Sequence, residues 1–252
     1  MSLTNFFNLA RLGLLMKMEL RKSIKGIIIA MVVLFGVAFT GFILDNVFNN
    51  YKIYNMHQAS YVFFLLLGGF ILSSLAFNDL GTPLKRYNYL TLPASTFEKF
   101  LSMWLLTPLG WIIIFTFLFI IYSFFANTIG SLFFRNVTFI GFTPLAKIPF
   151  EGIKYYIAIQ GIFLVGAVNF RGFAFLKTLF TIMIIALVGG IIFYIFMIDI
   201  ANSNMECTME KCNPMQEPKY REVWQIIQWL FWWVMAPLSW VLTYIGLKDQ
   251  EV

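Results

Sequence analysis

Histidine occurs once in the 252 residues, cysteine twice, and charged side chains make up only 12% of the chain. Each scarcity excludes something. A single histidine, His57, cannot build a His-rich metal site. Cys207 and Cys212 lie five apart in Cys-Thr-Met-Glu-Lys-Cys, which is not a zinc knuckle without further ligands. Soluble domains carry about 25% charged residues, so this chain lacks an ordinary water-facing surface. No G-x-x-x-x-G-K-[ST] phosphate loop occurs, so ATP is not bound in that manner. No cluster of carboxylates and histidines supplies the nucleophile and acid–base groups of a membrane enzyme.

What is present is apolar. The chain is 60% hydrophobic with a mean hydropathy of +0.80. Six long apolar runs, at about 26–44, 60–77, 100–125, 155–176, 177–198 and 223–247, are separated by short polar segments. A helix of ~20 apolar residues covers a hydrocarbon core of ~30 Å, and lipid offers backbone amides no partners, so such runs cross as helices. The sequence predicts an all-α polytopic membrane protein, with residues 1–252 as a single transmembrane domain. The fourth run is the short one. Tyr155–Phe170 is 16 residues, or ~24 Å as a helix. It spans if Arg171 snorkels and Gly172–Leu176 extend the helix. Five spans is the alternative. Six is preferred because Ile157–Val168 has almost no polar face for a surface helix to use.

The net charge of +6 follows topology rather than nucleic acid, since no basic stripe accompanies a soluble fold. Arg11, Lys17, Arg21, Lys22 and Lys25 precede the first run, whereas Lys52 is the one base in the loop after it. That asymmetry places the N-terminus in the cytoplasm, and six spans return the C-terminus there. Residues 5–24 interleave these bases with apolar residues and read as an amphipathic helix on the cytoplasmic bilayer surface; a plain extension of the first span is the alternative. His57 falls in what reads as a solvated outer loop. Residues 126–154 are too interrupted to span and read as an outer interfacial segment. Gly189-Gly190 suits a close helix contact or a bend. Trp224 and Trp240 suit the interface, while Trp229, Trp232 and Trp233 read as packing residues. The loop 199–222 holds both cysteines, and an oxidising exterior would let Cys207 and Cys212 close a small disulfide.

The centres of all six runs lack Asp, Glu, Lys, Arg and His. Secondary transporters usually carry such residues deep in their spans, so motive power for any transport has to come from elsewhere. The most specific local signal is the cytoplasmic segment 78–99. Ser95-Thr-Phe-Glu98 has the capping-box pattern, in which the serine hydroxyl takes the Glu98 amide and the carboxylate reaches back. Before it, Lys85, Arg86, Tyr87 and Tyr89 offer a basic, aromatic surface. An ordinary capped, snorkelling loop and a docking element for a cytoplasmic partner both fit these residues.

Arg86-Tyr-Asn-Tyr-Leu-Thr-Leu-Pro-Ala-Ser-Thr-Phe-Glu-Lys-Phe-Leu-Ser-Met-Trp-Leu-Leu-Thr107 resembles the segment after the second span of ABC-2-type permeases. Many of these, notably in Bacteroidetes-type bacteria, read LPAS-x-x-E-K-F there. The basic start, the six runs and the charged tail are also similar to that family. The resemblance implies a membrane subunit of an ATP-driven exporter, multi-pass in a bacterial inner membrane. It would pair with a second permease copy and rest on a cytoplasmic ABC ATPase dimer that holds the ATP and Mg, leaving this chain without catalysis or cofactor. By position, Leu92, Pro93, Ser95, Phe97, Glu98, Lys99 and Phe100 would be the ATPase-coupling element, with Phe97 and Phe100 as anchors. One departure is the outer segment 126–154, longer and more aromatic than a minimal permease needs. A membrane scaffold docking an envelope complex without transport is the alternative function.

Overall fold

The computed structural model describes residues 7–49, 53–134, 137–203 and 218–250. Eight helices carry almost all of them: α1 Leu9–Phe48, α2 His57–Leu75, α3 Pro83–Leu90, α4 Thr96–Trp104, α5 Trp111–Phe133, α6 Lys147–Asn169, α7 Ala174–Ser203 and α8 Pro218–Asp249. Strands β1 (Ile53–Tyr54) and β2 (Thr138–Phe139) add two rungs. Among the described residues, six segments are long and apolar enough to cross a membrane. The chain is therefore an all-α polytopic membrane protein, as its hydropathy predicts.

Helix α6 is the centre of the bundle and packs chiefly on α2 and α8. Its approach to its neighbours is set by small residues. A methyl group at Gly152 would lie 2.6 Å from Val62 on α2. Added at Gly161 or Gly166, it would collide with Ser239 on α8 or Thr178 on α7. Small residues let helices approach closely where lipid supplies no hydrophobic drive to associate. Beside α6, a core of Tyr61, Phe64, Leu65, Trp111, Phe115, Phe119 and Tyr156 joins α2, α5 and α6. The Trp111 indole donates to the Leu65 carbonyl at 3.0 Å, so even the aromatic core is pinned by polar bonds.

The path from α4 to α5 widens into a π-helical stretch, Leu105–Gly110, which holds Pro108. Proline removes an amide donor and crowds the preceding turn, and π-bulges are one way a helix absorbs such a defect. The Tyr156 hydroxyl donates to the Thr107 carbonyl within this stretch at 3.0 Å.

Several expectations are corrected. The fourth span extends backwards to Lys147 rather than forwards through Gly172–Leu176. Pro149 is accommodated near its start, and the chain turns at Gly172 (φ +63) and Phe173 (φ 49). Residues 9–24 are not a separate surface helix: α1 runs unbroken for 40 residues, about 60 Å at 1.5 Å per residue. Its early turns bury Leu12, Leu15 and Glu19 and contact α4, so tertiary packing holds them in line. Residues 126–133 complete α5 rather than lying at the interface. The following residues pair β2 in parallel with β1, Ile53 opposite Thr138 and Tyr54 opposite Phe139. His57 is not solvated. It is 2% exposed, stacks on Phe42 and sits 2.6 Å from Asn127 Oδ1. Trp240 packs inside the bundle against Trp104, whereas Trp229 and Trp233 face outwards. Gly189 and Gly190 meet nothing within 4 Å, since α7 turns most of its surface outwards.

Candidate functional site

The N-terminus of α1, the segment between α2 and α4, and the C-terminus of α8 meet at one end of the bundle, the end richest in basic residues. The chain leaves α2 through a 3-10 turn, Asn78–Gly81, and enters α3 with Pro83 in its first turn, where a missing amide costs nothing. Lys22 on α1 holds the start of this segment through Asp79 at 3.1 Å. Nearby, Glu19 is buried on α1 before its apolar run begins; burial pushes its carboxyl above the usual range, although Lys22 lies 3.5 Å away and pulls the other way.

Helix α3 is amphipathic in an unexpected sense. Tyr89 is buried, but Leu84 and Tyr87 are 75% and 69% exposed. The basic, aromatic surface expected from Lys85, Arg86, Tyr87 and Tyr89 thus loses Tyr89 to the interior and gains Leu84. Leu84 and Tyr87, one turn apart, form an outward apolar pair beside the exposed Lys85.

The capping box is present. The Glu98 amide donates to Ser95 Oγ at 3.2 Å, and the Ser95 amide donates to Glu98 Oε2 at 2.9 Å. The other carboxylate oxygen is used elsewhere. Glu98 Oε1 accepts the Asn8 amide at 2.6 Å and faces the Arg11 guanidinium at 3.1 Å. Asn8 is itself the N-cap of α1, its side chain accepting from the Ala10 amide at 2.9 Å. One fully buried carboxylate therefore serves the starts of two helices, both places where the helix dipole favours negative charge.

Lys99, also buried, reaches the other way. Its Nζ donates to the carbonyl of Leu90, the last residue of α3, at 2.9 Å, and lies 5.9 Å from the Tyr89 ring. The expected anchors Phe97 and Phe100 have neighbours inside the chain. Both pack edge-on to Tyr244 of α8, at 6.3 and 6.0 Å, and Phe97 also meets Phe7 at 6.1 Å. Leu92 is partly buried and Pro93 exposed. Sequence reasoning gave the helix cap but missed Asn8, Arg11 and Tyr244, whose contacts with residues 97–100 join parts of the chain far apart in sequence. Pro83 ahead of an amphipathic stretch was the available signal for α3. Cys207 and Cys212 lie outside the described residues.

Fold and composition define a multi-pass helical membrane protein. No protein-family model matches the chain, and neither a curated protein nor a solved structure is significantly similar to it.

Proposed function

We propose that this chain is the membrane-spanning subunit of an ATP-driven ABC-type exporter, coupled to a separate cytoplasmic ATPase dimer through the segment between α2 and α4. The observation that carries the reading is the exposed Leu84–Tyr87 pair on α3. It stands at the basic end of the bundle, which the positive-inside rule assigns to the cytoplasm. A short amphipathic helix presenting an apolar pair and basic neighbours suits a hydrophobic groove with an acidic rim. The resemblance of residues 86–107 to ABC-2-type permeases supports the same reading. So does the lack of ionisable residues at the centres of the apolar runs, which leaves energy input to a partner. In this reading α3 makes the outward contact and residues 92–100 carry its movement inwards. The membrane would be a bacterial inner membrane, and a second permease copy would complete the unit.

The test is purification in mild detergent from the native host, followed by identification of stoichiometric partners. A co-purifying protein with a phosphate-binding loop is expected, and it should be lost from the double variant L84D/Y87D while the spans stay folded. A stable complex without an ATPase would instead establish the scaffold alternative.

A further inference from the structure

Phe97, Glu98 and Lys99 are consecutive, yet each addresses a different part of the basic end. Phe97 meets Tyr244 on α8 and Phe7 ahead of α1. Glu98 joins the first turns of α1 and α4. Lys99 grips the last carbonyl of α3. The geometry points to residues 97–99 as a three-way junction of positioning residues, through which a displacement of α3 reaches α1, α4 and α8 together. The transport role of that displacement rests on the function proposed above; the junction itself does not.

Three physical arguments support it. First, the two charged members are 0% and 2% exposed, and a buried charge that loses its partners is strongly destabilising. The junction therefore moves as a unit rather than releasing one partner at a time. Second, the bonds end on backbone groups: the Asn8 and Ser95 amides and the Leu90 carbonyl. Such bonds transmit position directly to helix ends, with no flexible side chain at the far side. Third, a separate contact ties the start of the same segment to α1, Lys22 with Asp79. The segment is thus fastened to α1 at both its ends, Arg11 and Lys22 lying eleven residues apart, about 16 Å along the helix. A push on α3 between these fastenings cannot be absorbed by the loop alone.

The arrangement also makes an asymmetric prediction. Arg11 supplies only one of the contacts on Glu98, so R11Q should loosen the junction less than E98Q. A charge swap, R11E/E98R, should not restore it, because an arginine at 98 cannot accept the two backbone amides.

The primary test is hydrogen exchange on the full chain in lipid nanodiscs, without any partner. E98Q is expected to raise exchange at least tenfold in residues 8–12 and 95–99 together, with α6 unchanged, and R11Q to do the same to a smaller extent. Loosening confined to 95–99 in both variants would overturn the junction. If E98Q also loosens α6, R11Q alone decides. The second test uses the complex with its ATPase, with spin labels replacing Leu14 and Lys248 in a C207S/C212S background. Addition of ATP should change the distance between labels, and E98Q should abolish that change while the ATPase stays bound. A retained change in E98Q, or none in the parent, refutes the junction as a transmitter. Absence of any ATPase refutes the proposed function and leaves the exchange result standing.

Discussion

Two tyrosines bury their hydroxyls in the bundle, and they should respond differently to the same substitution. Tyr156 donates to the Thr107 backbone carbonyl at 3.0 Å within the π-helical stretch. Tyr61 shares a bond of 2.7 Å with the Thr116 hydroxyl. A hydroxyl can turn to a new partner. Thr107, Thr128, Thr178 and Thr243 all donate to the carbonyl four residues back, and Thr116 can do the same once Tyr61 loses its oxygen. The Thr107 carbonyl is fixed by the backbone and cannot re-aim. Interhelical hydrogen bonds in membranes average ~0.6 kcal/mol and reach ~1.7 kcal/mol, while stranding one partner of a buried bond costs about 1–3 kcal/mol. Y156F should therefore lose about 1–2 kcal/mol and Y61F less than about 0.5 kcal/mol. The first figure spans roughly a five- to thirtyfold change in the folding equilibrium. Reversible unfolding in mixed micelles, followed by tryptophan fluorescence, reads both. If Y61F costs as much as Y156F, the argument from fixed and rotatable acceptors is wrong.

Three further outcomes are expected. G166V should destabilise by about 1–3 kcal/mol through its collision with Thr178, whereas G189A, with open space around it, should be neutral or slightly favourable in the same unfolding assay. E19Q tests the buried carboxyl. Because the folded pKa of Glu19 is raised, its contribution to stability is present at low pH and is lost as pH rises through that pKa. The variant should therefore melt at or above the parent temperature near pH 7.5, the gap closing towards pH 4.5; a gap that widens on acidification would reverse the assignment. F115A should cost about 2–3 kcal/mol, the cavity term for roughly 100 Å³, since lipid replaces water as the alternative environment; full loss on the aqueous scale of ~3–5 kcal/mol would show that water reaches this core.

The parts of this structure legible in the sequence are those governed by local rules. Apolar length gives six crossings, because no other backbone arrangement suits lipid. Ser95 and Glu98 give the start of α4, because a capping box spans only four residues. Pro108 was equally visible, yet the partner of the Thr107 carbonyl beside it, Tyr156, comes from another helix. The fourth span was misplaced at its start because its first turns carry Lys147, Glu151 and Lys154, and at its end because the chain turns at Gly172 and Phe173 instead of continuing as helix. Glu98 shows the limit most clearly. Its near oxygen was readable from its neighbours, while its far oxygen belongs to residues 8 and 11, brought there only by the packing of α1. His57 likewise looks like a loop residue until Phe42, Tyr54 and Tyr122 enclose it.

Of the six crossing segments, α6 has the lowest hydropathy and the largest buried share. A helix built to be surrounded by protein is a poor passenger for insertion on its own. Helix α2 and the π-helical stretch before α5 are synthesised before α6, and they offer Val62, Gly69 and the carbonyl of Thr107 to its incoming face. Helix α8, which follows α6 and α7 in the chain, covers another side of α6 through Ser239 and Trp240. The order of the chain thus matches the order in which its least lipid-soluble helix can be accepted, and truncation before α8 should leave α6 exposed to membrane quality control.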